Sequence, residues 1–169
     1  MVHSKFVVSL MNRLFRPELV RIVDRFADKN SCLEYMAGML AETGCLSFPD
    51  RFVAAVKGRE EIMSTGIGRE IAIPHARDLT VSCLQIAVCM TQEAIVYQSI
   101  DNLPVRIIFM IAVPQSSNQQ YMRILRSLSE YLRQEENRQQ ILNASSEEEL
   151  FQYVHKIEDI IVSNLTNLP

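Results

Sequence analysis

Val105-Arg-Ile-Ile-Phe-Met-Ile-Ala-Val113 carries a single polar residue in its length and is closed by Pro114. A run this apolar and this rich in branched side chains fits a strand buried on both faces, at the centre of a sheet. Working upstream, Asp101-Asn-Leu-Pro104 reads as a turn. Leu84, Ile86, Val88 and Met90 alternate as a strand, and Ile95–Tyr97 as another. Ile71–Ile73 is a brief strand stopped by Pro74, and Leu19–Val23 is a short one near the start.

Helical signals flank these strands. Met11–Phe15 reads as a short helix stopped before Pro17. Ser31-Cys-Leu-Glu34 is a capping box, and Leu33, Met36, Ala37, Leu40 and Ala41 follow at helical spacing up to Gly44. Ser47 or Phe48 opens a second helix with Pro49 in its first turn. Phe52, Val53 and Val56 form its apolar face, and it runs to about Glu61. A second box, Ser117 to Gln120, precedes a helix carrying Met122, Leu125, Leu128 and Leu132. A third, Ser146 to Glu149, precedes one carrying Leu150, Val154, Ile157 and Ile161. This mixture predicts an α/β fold, a mixed β-sheet sandwiched between α-helices, as a single domain over residues 1–169.

Composition sets the outer bounds. The 169 residues are 48% hydrophobic and 22% charged, which excludes a disordered or fibrous chain. The net charge of −3 argues against bulk nucleic-acid binding. No apolar run approaches the ~20 residues needed to cross a bilayer. Phe6–Met11 is followed by Asn12 and Arg13 without a cleavage site, so no leader is expected. Cys32, Cys45, Cys83 and Cys89 include no C-x-x-C pair and read as reduced thiols of a cytoplasmic protein. Cys83 and Cys89 are expected on one side of one strand.

Of the three histidines, His3 lies at the terminus and His155 in a helix beside Lys156, facing solvent. His75 follows a proline at the end of a short strand, opposite a glycine-bearing stretch read as a loop, Met63–Glu70. In that loop the amides around Gly66, Ile67 and Gly68, with the Ser64 and Thr65 hydroxyls, can donate to phosphate oxygens. Arg59, at the end of the second helix, can add a planar cationic fork. A nucleophilic imidazole beside an anion cradle is what a phosphohistidine carrier requires. Each piece has a plainer reading: a tight loop, a solvated helix-end arginine, a structural histidine. Ile71 occupies the third glycine of a dinucleotide fingerprint, and a Walker A lysine, a serine elbow and a zinc-ligand pattern are all missing, so no metal or cofactor is expected.

Gly58-Arg-Glu-Glu-Ile-Met-Ser-Thr-Gly-Ile-Gly-Arg-Glu-Ile-Ala-Ile-Pro-His75 resembles the active-site signature of enzyme IIA of the fructose/mannitol type, from the bacterial phosphoenolpyruvate:sugar phosphotransferase system (PTS). Leu14-Phe-Arg-Pro-Glu18, the Ser31 helix, Ser99-Ile-Asp-Asn-Leu-Pro-Val105 and Phe109-Met-Ile-Ala-Val-Pro114 extend the resemblance over roughly Leu10 to Val154. The resemblance implies that His75 accepts a phosphoryl group from phospho-HPr and that Arg59 neutralises it. It implies an enzyme IIB or a regulated protein as the downstream partner. With no IIB-like cysteine loop or membrane segment in the sequence, the chain is most similar to the nitrogen-branch regulatory members. Such members often carry a second histidine shortly after the Ala-Val-Pro run, where this sequence has Tyr121. That departure motivates an alternative: a non-catalytic interaction module with the same fold.

Overall fold

The structure, a computed structural model, describes residues 14–117 and 120–166. They form one mixed sheet with helices on both faces. A 3₁₀ turn at Pro17–Leu19 leads into β1 (Val20–Val23). Helices α1 (Lys29–Glu42) and α2 (Pro49–Ile62) follow. Next come β2 (Gly66–Gly68), β3 (Ile71–Ala72) and β4 (His75–Asp78), then β5 (Gln85–Ile95) and β6 (Val105–Pro114). Helices α3 (Gln120–Arg133), α4 (Glu135–Leu142) and α5 (Glu147–Thr166) complete the described chain.

The sheet order is β1-β5-β6-β3-β2, with β4 also on β6. β5 and β6 are antiparallel; β1 runs parallel to β5, and β3 and β4 run parallel to β6. The apolar run Val105–Val113 is therefore the central strand, as its composition requires. Its alternate residues serve two cores. Ile108, Met110 and Ala112 pack with α1 and α2, beside Phe52, Val56 and Met36. Ile107, Phe109, Ile111 and Val113 pack with α3 to α5, beside Ile124, Leu128, Leu150 and Val154. Burying both faces of one strand holds it fixed, and everything hydrogen-bonded to it inherits that rigidity.

β3 and β4 are one strand with a gap. Ile71 pairs with Ile107 and His75 with Ile111, so the register against β6 is unchanged across the gap. Pro74 has no N–H to contribute, but its carbonyl still accepts from the Ile111 amide at 2.9 Å. His75 thus opens β4, instead of ending an isolated strand as its sequence context suggests.

Several local expectations need correction. Gly66–Gly68 is a strand antiparallel to β3, within the stretch read as a loop. Arg69 and Glu70 join the two strands, and both have positive φ, 57° and 67°. That is the backbone of a tight two-residue hairpin, which ordinarily calls for Asn-Gly. Arg-Glu carries no such signal. Ile95 ends β5 instead of opening a new strand, because the register shifts between Met90 and Ile95 and the ladder resumes. The N-cap of α1 is Asp28, not Ser31: its carboxylate accepts from the Ser31 amide at 2.7 Å and the Ser31 hydroxyl at 2.8 Å. Met122 is exposed, and Ile124 takes the buried position on α3. Cys83 precedes β5, so only Cys89 lies on it. Leu14 and Phe15 form a bend; the rest of the predicted Met11–Phe15 helix, His3, and the Ser117–Gln120 box fall wholly or partly outside the described residues. The box before α5 forms by halves. Ser146 accepts from the Glu149 amide at 3.1 Å, while the Glu149 carboxylate turns to Ser145.

Candidate active site

The site is assembled where the C-terminus of α2, strand β2 and the start of β4 meet. His75 is half-buried. Its Nδ1 lies 2.8 Å from the Ile73 carbonyl oxygen. A carbonyl only accepts, so Nδ1 carries the proton and donates. Nε2 is then the ring nitrogen with a free lone pair. Burial lowers the imidazole pKa below its ordinary value; the Ile73 bond opposes this, the positive Arg59 guanidinium adds to the lowering, and Glu60 opposes it. Arg59 and Glu60 thus reach His75 electrostatically with opposite signs.

Arg59 sits in the last turn of α2, where the helix dipole favours a cation. Its Nη1 donates to the Met63 carbonyl at 3.0 Å, which folds the guanidinium back along the chain entering β2. Among the described residues the other guanidinium hydrogens have no partner, which leaves them able to bind an anion.

Glu60 is the component sequence reasoning missed. Phe52, Val56 and Glu60 are spaced four apart and are all buried, so the carboxylate extends the apolar stripe of α2 by one turn. Glu60 accepts from the Thr65 amide at 2.8 Å and from the Thr65 hydroxyl at 2.5 Å, and pairs with Lys29 of α1 at 2.7 Å. Burial pushes its pKa up, but the bonds from Lys29 and Thr65 outweigh that and hold it below the usual carboxylate range. Ionised Glu60 can only accept, so Thr65 donates to it, and the Thr65 oxygen, 3.2 Å from the Tyr97 hydroxyl, accepts from Tyr97. Lys29 also donates to the Tyr97 carbonyl at 3.1 Å and sits 4.2 Å above the Tyr97 ring. Burial, then the Glu60 charge, drive the fully buried Tyr97 phenol upward, so it stays protonated.

This network fixes the glycine segment. Thr65 also accepts from the Ile73 amide through its carbonyl at 3.0 Å, tying β2 to the residue that holds His75. The Ser64 hydroxyl accepts from the Gly66 amide at 3.1 Å. Gly66 has no room for a side chain: a Cβ there would lie 2.5 Å from Ser99 Oγ and 2.9 Å from Ser99 Cα. Gly68 has φ 88° and faces the Asp101 carboxylate. Ile67, between them, points outward and is partly exposed. The structure gathers Arg59, Ser64 to Gly68 and His75 into one region, with the Thr65 hydroxyl committed to Glu60. Tyr121, in the first turn of α3, is half-buried and packs against the core beneath α3 to α5.

Residues 13–157 match the model of the family described as "Phosphoenolpyruvate-dependent sugar phosphotransferase system, EIIA 2", and the chain belongs to that family of phosphotransferase components. The nitrogen regulatory protein of Escherichia coli K12 is 30% identical over 152 residues, covering 89% of this chain and 90% of that protein. The fructose-specific EIIABC component of Bacillus subtilis is 33% identical over 129 residues, 76% of this chain, and the chain spans only 20% of its length. Among solved structures, nitrogen regulatory protein IIA-Ntr of Neisseria meningitidis superposes with a TM-score of 0.77 at 26% identity, covering 89% of this chain and 99% of that one. No described helix is long and apolar enough to cross a membrane.

Proposed function

We propose that this chain is a cytoplasmic phosphohistidine carrier that accepts a phosphoryl group from phospho-HPr on Nε2 of His75. It then passes the group, or the signal of its presence, to a protein partner: an enzyme IIB or a regulated protein. The observation that carries the reading is the Nδ1 bond from His75 to Ile73, which fixes one tautomer and leaves Nε2 nucleophilic. In the transfer, the bond between phosphorus and the donor breaks as the Nε2–P bond forms, and the donor departs with the bonding electrons. Little covalent work falls to the protein; positioning and charge stabilisation dominate. The Thr65 amide and hydroxyl are spent on Glu60 and the Gly66 amide on Ser64, so Thr65 and Gly66 brace the segment from Ser64 through Ile67 to Gly68 instead of donating to the phosphoryl group, and Arg59 supplies the countercharge. The lowered His75 pKa keeps the imidazole neutral near pH 7, as nucleophilic attack requires. Likeness to the nitrogen regulatory proteins supports a regulatory role.

The alternative, a non-catalytic module, draws on Tyr121 standing near the expected place of a second histidine and packing against the core. Incubation with phosphoenolpyruvate, enzyme I and HPr, followed by intact-mass analysis, separates the two. The carrier reading expects one added phosphoryl group per chain, abolished in His75→Ala. No added mass, or labelling that persists in that variant, supports the module or another acceptor.

A further inference from the structure

A concavity of about 480 Å³ lies between the β2–β3 hairpin and α3; it shares Ile67 and Gly68 with the segment beside His75 but contains neither His75 nor Arg59. Its polar lining includes Arg69, Ser129 and Arg133; its apolar walls include Ile67, Ile71 and Leu132. The volume falls in the range of small-molecule sites, and the pattern of apolar walls with a few convergent polar groups is theirs too.

Three arginines gather at the C-terminus of α3. Arg69 donates to the Arg133 carbonyl at 2.5 Å, and Arg138 to the same carbonyl at 2.6 Å and to the Leu132 carbonyl at 2.9 Å. The helix dipole and its unpaired carbonyls account for those two. Arg133 also stands in the last turn of α3, where the dipole favours a cation, but it is not bonded to those carbonyls. Its guanidinium makes no hydrogen bond or ion pair among the described residues, yet it lines the concavity. The Arg69 guanidinium has spent one of its five donors.

The hairpin supplies an independent observation. Arg69 and Glu70 occupy left-handed backbone positions where Asn-Gly would be relaxed. An unfavourable turn sequence persists where the surroundings hold it and the side chain has work to do. Here the Arg69 amide donates to Asp101 at 2.7 Å, and its side chain crosses to α3, forming one wall of the concavity. Asp101 also borders the space as an ionised carboxylate, its oxygens accepting from the Arg69 and Leu103 amides.

We propose that this concavity binds a small organic anion, a phosphate or carboxylate on an apolar body, held by Arg133 and Arg69 with the body against Ile67, Ile71 and Leu132. Arg133 takes the anion as a two-pronged donor, Arg69 adds a second cation, and Ser129 offers a neutral donor. Because Arg69 is in the hairpin that ends β2, occupancy would act on the strand that carries Gly66–Gly68. The site itself stands independently of whether His75 is phosphorylated.

The test uses phenyl phosphate as probe, followed by amide NMR shifts on the full chain carrying Arg59→Ala and His75→Ala, which removes the other anion site. Saturable shifts confined to residues 67–71, 100–101 and 129–133 are expected. Inorganic phosphate and benzyl alcohol should each bind at least about tenfold more weakly, since each lacks half of the recognition. Adding Arg133→Ala should weaken phenyl phosphate by about ten- to a hundredfold, the range for losing a charged hydrogen-bonding partner. Arg133→Lys should recover part of that loss. Among the described residues the Arg133 guanidinium holds no hydrogen bond or ion pair, and an unchanged unfolding midpoint for Arg133→Ala separates a loss of binding from a loss of structure. Non-saturating shifts, or affinity unchanged by Arg133→Ala, would overturn the proposal.

Discussion

Glu60 should be the strut on which the candidate cradle stands, and its removal is a quantitative test of the architecture. In Glu60→Ala the Lys29 ammonium loses its anionic partner and keeps only Tyr97, in a region where Glu60 is buried and Lys29 mostly so, and two Thr65 donors lose their acceptor. Truncating one member of a buried ion pair costs about 3–5 kcal/mol. At roughly 2–4 °C per kcal/mol for a chain of this size, the midpoint should fall by roughly 6–20 °C. Glu60→Gln keeps a carbonyl for the Thr65 amide but loses the charge and the oxygen that accepts from the Thr65 hydroxyl, so about 1–3 kcal/mol is expected. The assay is a double-mutant cycle by urea unfolding with Glu60→Gln, Lys29→Met and the pair combined. The two should couple by about 1–3 kcal/mol, because each single variant strands the other's group. The sign with pH follows from the lowered Glu60 pKa. Its contribution is fully present above about pH 4.3, the unfolded value, and is lost as pH falls through the folded value. Glu60→Gln should therefore flatten the acid limb of the stability curve. Additivity within about 0.5 kcal/mol, or an unchanged acid limb, would refute the reasoning.

His75 should titrate below about 6.5, so phosphoryl acceptance should be flat from pH 8 to 6.5 and decline only below that. Its linkage runs the same way: stability is full above about 6.5 and falls as the pH drops, since the unfolded chain binds the proton first. An NMR titration of the imidazole showing a midpoint above 6.5 would contradict this. Arg59→Ala should slow acceptance by about 10²-fold, with a stability change within about 0.5 kcal/mol, measured by single-turnover transfer and urea unfolding. Gly66→Ala should destabilise by about 1–3 kcal/mol because the new Cβ meets Ser99 backbone, whereas Gly58→Ala, in open space within α2, should stabilise by about 0.5–1 kcal/mol. Paired unfolding curves check both signs.

What the sequence discloses and what it hides divide along physical lines. The central strand was legible because burial on both faces leaves a continuous apolar run at Val105–Val113. The α5 helix was legible because Leu150, Val154, Ile157 and Ile161 keep one face. The β2–β3 hairpin was not, because Arg69-Glu70 lacks the glycine or asparagine that marks such turns, and tertiary bonds to Asp101 and Arg133 hold it instead. Asp28 escaped notice as a cap because the Ser31–Glu34 pattern three residues on is a stronger local signal than a lone aspartate. In the site, His75 and Arg59 stood out through their neighbours in sequence. Glu60 did not, since its charge partner Lys29 comes from another helix and its Thr65 partner only meets it once α2 ends and the chain turns into β2. A charged residue at the next stripe position after Phe52 and Val56 was the available clue.

The central claim is that Nδ1 of His75 is held as a donor to Ile73 and Nε2 carries the phosphoryl group. It is tested most directly by two-bond ¹H–¹⁵N correlation of the imidazole, before and after phosphorylation by phosphoenolpyruvate, enzyme I and HPr. The account predicts a neutral Nδ1–H tautomer in the free protein and phosphorylation at Nε2 alone. A free imidazole protonated at Nε2, or a phosphoryl group on Nδ1, would contradict it.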